Sequence, residues 1–162
     1  VGKPMGNGLP IAAAVFDPRL LADFGRKVRY FNTFGGNTVS IAAAQAVLDV
    51  IRDEALIDNA ARVGAQLLAG VEAVTANIDR VTAVRGRGLF LGVEVTRDDR
   101  DGRVPDAAGA AAVVNELRRR RVLISASGPH GNVLKIRPPM AFRSADADRF
   151  LTEFDAVAAL LG

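Results

Sequence analysis

From Val81 to the C-terminus the apolar residues change spacing in the order strand, strand, helix, strand, strand, helix, and this order constrains the fold more than any other feature. Val81 to Val84 and Leu89 to Val95 are β-like and are separated by Arg85-Gly86-Arg87-Gly88. Asp98 to Pro105 reads as a polar turn, and Ala107 to Arg120 as a helix. Val122 to Ser125 and Val133 to Ile136 read as short strands around the turn Gly128-Pro129-His130-Gly131, with Pro138-Pro139 ending the second. The last helix takes Ser144 as its N-cap and buries Phe150, Phe154, Val157 and Leu161. Elements in this order make an α/β or α+β unit with helices packed on a small sheet.

The preceding residues have a different character. Leu56, Ala60, Val63, Leu67, Val71 and Val74 recur at steps of three and four, which predicts an amphipathic helix ending near Asn77. Thr38 to about Arg52 is Ala-rich and apolar on most faces, which predicts a buried helix. Ile11 to Phe16, bounded by Pro10 and Asp17-Pro18, predicts a buried strand, and Arg19 to Gly25 one or two helical turns. The first fifty residues do not read as a domain of their own. They read as the tail of a larger α/β domain, with a boundary near Arg52 to Leu56.

Composition narrows the classes. With 162 residues, 49% of them hydrophobic, the chain is long enough for a sizeable core and for one domain by length. It has no Cys, which excludes disulfides, thiolate metal sites and cysteine nucleophiles and suits a cytoplasmic protein; no metal site is expected. The net charge of +3 is too small an excess to imply nucleic acid. The run Arg118-Arg119-Arg120-Arg121 closes a helical pattern, where cations are favoured, so a solvated helix end outweighs a phosphate-backbone site. No apolar stretch is long enough for a membrane span, and neither a nucleic-acid nor a membrane partner is expected.

Two loops carry candidate chemistry. Gly2-Lys3-Pro4-Met5-Gly6-Asn7-Gly8 presents a lysine from a side-chain-poor segment, and Phe31-Asn32-Thr33-Phe34-Gly35-Gly36-Asn37 offers a hydroxyl and backbone N–H groups just ahead of a helix. Spacing alone favours plainer explanations: a solvated loop lysine, and a turn in which Asn37 or Thr38 caps the next helix. His130 lies in a turn, where capping the loop is favoured over approaching a phosphate.

Four ordered motifs carry a resemblance. Gly2 to Pro10, Thr33-Phe34-Gly35-Gly36-Asn37, Val84-Arg85-Gly86-Arg87-Gly88-Leu89 and Asn132 to Pro139 follow one another as in class III pyridoxal-phosphate-dependent aminotransferases. The chain resembles the C-terminal portion of such an enzyme from its active-site lysine onward. Within the family it is most similar to the ethanolamine-phosphate and phosphohydroxylysine phospho-lyases, through residues 1–8, 31–37, 123–130 and 132–140.

The resemblance implies the C-terminal part of a fold-type I transferase. Residues 1–54 would end the large cofactor-binding domain with its linking helix, and residues 55–162 would form the small C-terminal α/β domain. It implies pyridoxal 5'-phosphate as cofactor, Lys3 as the residue that forms the Schiff base and moves the substrate's Cα proton, and Thr33 as a cofactor-phosphate ligand for the neighbouring subunit of a homodimer. Lys135 stands where several aminotransferases of the family hold an α-carboxylate with arginine, and Arg137 lies two residues on; both are candidate substrate ligands. The expected activity is amino transfer from an amine or amino acid, with phosphate elimination from a phosphorylated amino-alcohol as the alternative. A non-catalytic α/β binding module is the reading from another class. Because ring-binding groups of the family lie upstream of the lysine, the chain is expected to be a fragment that is inactive alone.

Overall fold

A computed structural model of the protein describes residues 1–100 and 102–162, with the side chain of Lys3 outside the described set. It divides into two compact units, Val1–Ala55 and Leu56–Gly162.

In the second unit, α3 (Leu56–Thr75) leads into β1 (Val81–Arg87), β2 (Phe90–Asp99) and β3 (Gly102–Pro105). Then come α4 (Ala107–Arg119), β4 (Ser125–Ser127), β5 (Val133–Ile136) and α5 (Ser144–Ala158). The strands form one antiparallel sheet in the order β1-β2-β5-β4, with β3 paired to the far end of β2. Alternation along β2 turns Leu91, Val93 and Val95 to one face, where they are almost wholly buried. Register brings Ile136 opposite Leu91 and Leu134 opposite Val93, so the same face continues across β5. Against it pack Val63, Leu67 and Val71 of α3, Val113 and Leu117 of α4, and Phe150, Phe154 and Val157 of α5. The rings of Phe150 and Phe154 stack at 5.6 Å, and burying a phenylalanine of this kind contributes about 2–3 kcal/mol.

Several sequence expectations are corrected here. The segment Arg85–Arg87 continues β1 instead of interrupting it, and the chain reverses at Gly88-Leu89. Gly88 takes φ 55°, the sign a two-residue hairpin loop demands at its first position. The polar turn Asp98 to Pro105 contains β3, which pairs Thr96 with Pro105 and Asp99 with Gly102. The strand expected at Val122 to Ser125 begins only at Ser125, because Val122 is used to close α4: its N–H donates to Leu117 O at 2.9 Å. Ser144 is not the N-cap of α5. Arg143 holds that place, its N–H donating to Asp146 at 2.9 Å, while the Ser144 hydroxyl donates to Gln66 Oε1 of α3 at 2.7 Å.

The first unit holds α1 (Pro18–Lys27) and α2 (Thr38–Asp53), preceded by a single 3-10 turn at Lys3–Gly6. Asp17 caps α1 by accepting from Arg19 N at 2.9 Å. Ile11 to Phe16 is not a strand: its one ladder-like contact is Ala13 with Val1, two hydrogen bonds of 2.9 Å, and the described residues of this unit offer no further strand to pair with. α2 is not buried either. The Lys3–Gly6 turn packs against it, but with no sheet in the unit Ile41, Leu48 and Val50 remain exposed. Among the described residues, no helix is long and apolar enough to cross a membrane.

Candidate active site

Lys3 opens the 3-10 turn, with Pro4 fixing the backbone of its first residues. Met5 N–H donates to Gly2 O at 3.0 Å and Asn7 N–H to Pro4 O at 3.2 Å, and Asn7 (φ 44°) and Gly8 (φ 115°) turn the chain out of it. Gly6 is buried at the centre of this loop, and a Cβ there would lie 2.9 Å from Ile11 Cγ2. The backbone of the lysine loop is therefore tightly defined. The position of the Lys3 amine lies outside the described residues.

The Thr33 loop is organised by two asparagines. Asn32 Oδ1 accepts from Phe34 N at 3.2 Å and Gly35 N at 3.0 Å, forming an Asx turn. Asn37 Oδ1 accepts from Val39 N and Ser40 N at 3.1 and 3.2 Å, capping α2. The Gly35 N–H is thus engaged within the loop, which corrects its reading as an open anion donor. Thr33 is exposed, and neither its hydroxyl nor the Gly36 N–H has a hydrogen-bond partner among the described residues. A hydroxyl and a free N–H beside a capped helix start form a donor set that suits a phosphate. A cavity of about 260 Å³ lies between this loop, at Asn32, Gly36 and Ser40, and Pro10–Ala12, the segment that follows the lysine turn. No described residue of the lysine turn itself is among those lining it.

Lys135 lies on the open face of the sheet in the second unit. Register sets Arg85, Gly92, Lys135 and Ser125 in one row across β1, β2, β5 and β4. Gly92 leaves the space between the two cations free of side chain. Arg85 donates to Glu94 at 2.8 Å, whereas the half-buried Lys135 has neither an ion pair nor a hydrogen bond among the described residues. Arg137 does not share this row. β5 ends at Ile136, one residue short of it, and Pro138 restricts its backbone; Arg137 lines a separate cavity with Arg121 and Arg149. His130 is exposed in the Gly128–Gly131 turn without a described hydrogen-bond partner. Among the described residues no group of three or more His, Asp or Glu is placed to hold a metal ion.

The sequence reading missed the Asn32 turn, although an asparagine two and three residues ahead of the N–H groups it engages is a recognisable signal. It also missed the Arg85 to Ser125 row, which needs strand register to be seen.

Residues 1–158 match the family described as Aminotransferase class-III. "Alanine--glyoxylate aminotransferase 2-like" of Drosophila melanogaster is 44% identical over 95% of this chain and 31% of its own length. "Ethanolamine-phosphate phospho-lyase homolog 1" of Caenorhabditis elegans is 36% identical over 99% of the chain and 34% of its own. Among solved structures, a phospholyase from Arthrobacter in complex with phosphoethanolamine superposes with TM-score 0.92 at 42% identity, covering 99% of this chain and 38% of that one. The chain thus spans about a third of the length of its relatives. Its mixed α/β architecture is that of the fold-type I enzymes among these neighbours, and the family's cofactor is pyridoxal 5'-phosphate. By this match over nearly its whole length, the chain belongs to the class III aminotransferase family.

Proposed function

We propose that the enzyme carrying this chain eliminates phosphate from a phosphorylated amino-alcohol, with Lys3 as its cofactor-bearing and proton-transferring residue. The observation that carries this reading is the likeness, over 99% of the chain, to a phospholyase in complex with phosphoethanolamine. A lysine at position 135, a compact cation without a bidentate fork, accords with a phosphate or a lone anion better than with a clamped α-carboxylate. Residues 1–54 would end the large domain and residues 55–162 form the small one, and the enzyme would act in the cytoplasm as a homodimer.

Pyridoxal phosphate, when bound, supplies an electrophilic carbon for the substrate amine and a ring that withdraws electrons from the adjacent carbon. Thr33 Oγ1 and the Gly36 N–H would hold the phosphate of the neighbouring subunit's cofactor. Lys3 Nζ, when not bonded to the cofactor, would act as the base that takes the proton from the amine-bearing carbon. The electron pair left there forms a double bond to the next carbon, whose C–O bond breaks and releases phosphate with its bonding pair. Lys3 then returns its proton to the carbon skeleton, and water releases aldehyde and ammonia. Lys135, a half-buried cation on the open sheet face of the second unit with no partner among the described residues, is a candidate ligand for a substrate anion.

The second reading, amino transfer from an amine or amino acid to a keto acid, is favoured by the 44% identity to the Drosophila relative named an aminotransferase. Both reactions begin with the same proton transfer to Lys3. Incubating the loaded enzyme with O-phosphoethanolamine and no keto acid separates them: release of phosphate, acetaldehyde and ammonia in equal amounts is expected. Turnover that depends strictly on a keto acid overturns elimination in favour of transfer.

A further inference from the structure

The arginine run at the end of α4 resolves into two kinds of residue. Arg119 and Arg120 pair with Glu116 at 3.0 and 3.3 Å, and Arg120 also with Glu153 at 3.2 Å. Arg121 pairs with nothing among the described residues. It is instead held at φ 63°, in the left-handed region. Its N–H donates to Arg118 O at 3.0 Å and the next N–H, that of Val122, to Leu117 O at 2.9 Å. This is the paired bonding of a Schellman motif, and Arg121 occupies the one position of it that favours glycine. A bulky cation therefore stands where the backbone prefers no side chain at all.

What lies at that position is a cavity of about 290 Å³. Arg121, Arg137 and Arg149 line it, and none of the three has an ion pair or hydrogen bond among the described residues. The apolar part of its lining includes Ile124, Ile136 and Phe142. Asp146 is the one carboxylate there, and it is engaged in accepting from the Arg143 N–H at 2.9 Å, with the Arg143 guanidinium 3.7 Å away. Three arginines without a described partner, drawn from separate segments, thus line one cavity with an apolar floor, and one of them is kept in an unfavourable backbone conformation.

We propose that this cavity is a binding site for an organic carboxylate with an apolar body, its carboxylate held by Arg121, Arg137 and Arg149 and its body against Ile124, Ile136 and Phe142. Guanidinium forks suit a carboxylate, and the apolar lining rewards the body behind it. In this account Arg121 is retained for the ligand at the expense of the fold.

The test uses this opposition, with phenylacetate as the probe. Titrated into the isotope-labelled protein, phenylacetate is expected to shift the amide signals of Ile124, Ile136 and Phe142 saturably. Arg121→Gly should weaken binding on the order of tenfold while raising the melting temperature by about 2–6 °C, because glycine relieves the left-handed position. Arg149→Gln, which leaves the helix end untouched, should weaken binding likewise. Phenylethanol, which lacks the charge, and acetate, which lacks the body, should each bind at least about tenfold more weakly than phenylacetate. No saturable shift with phenylacetate, unchanged affinity in either variant, or equal binding of either control overturns the proposal.

Discussion

Asp106 at the start of α4 and Arg80 ahead of β1 form an ion pair within the second unit. Asp106, almost wholly buried at the N-cap of α4, accepts from the Gly109 N–H at 2.9 Å through one oxygen and from the Arg80 guanidinium through the other. Arg80 also reaches the carbonyl oxygens of Thr96 on β2 at 3.3 Å and Leu160 near the C-terminus at 3.4 Å. One ion pair thus ties the loop before β1, strand β2, the start of α4 and the chain end. Asp106→Ala removes both the cap and the guanidinium's partner, and is expected to cost about 2–4 kcal/mol in urea unfolding. Asp106→Asn, which keeps a capping oxygen, should cost less.

The same carboxylate sets an acid limit. Burial pushes the Asp106 carboxyl up, but the Gly109 N–H and Arg80 more than offset this and hold it below the ordinary carboxylate value. A depressed folded-state value contributes stability that is fully present above the unfolded-state value, about 3.9, and is lost as the pH falls through the folded one. Stability of the second unit should therefore be level near neutrality and fall below about pH 4. In Asp106→Asn the fall over that window should be shallower, as measured by melting temperature against pH.

Gly64 of α3 lies against the β1–β2 turn so closely that an added Cβ would stand 2.2 Å from Gly88 O. The obstacle is backbone on both sides, so no side chain can rotate away. Gly64→Ala is expected to lose about 2–3 kcal/mol, seen as a lower urea midpoint with an unchanged slope.

If Thr33 serves the neighbouring subunit, lesions at the two motifs should complement each other. A 1:1 mixture of Lys3→Ala and Thr33→Ala chains, refolded together, yields half heterodimers, each with one site free of both lesions. Activity near a quarter of the unmutated enzyme is expected, about 25%. Activity no greater than the sum of the two variants alone would show that both residues serve the same subunit.

Much of the second unit was legible because its signals are local and redundant. The three- and four-residue spacing from Leu56 to Val74 gave α3, and Val133–Ile136 gave β5, since each segment faces a core that its own unit supplies. The errors fell where a non-local choice decides. Val122 reads as a strand residue by composition, yet its N–H closes α4. Ser144 reads as a cap, yet its hydroxyl goes to Gln66 on another helix. Ile11–Phe16 has the apolar content of a strand but lacks the neighbours that make one, and α2 has the pattern of a buried helix without the sheet to bury it. The candidate residues Lys3 and Thr33 stand out in the sequence by their glycine surroundings, whereas the row Arg85–Gly92–Lys135–Ser125 in the second unit exists only once three strand pairings are known.

Lys3 is the proposed cofactor-bearing residue, and Lys27 and Lys135 are the other lysines of this chain. Reducing the pyridoxal-phosphate-loaded enzyme with borohydride and mapping the cofactor adduct by peptide mass spectrometry identifies the lysine that carries it. The adduct is expected on Lys3, with loss of both the adduct and the near-visible cofactor absorbance in Lys3→Ala; an adduct on any other lysine, or full absorbance retained in Lys3→Ala, would show that Lys3 does not carry the cofactor.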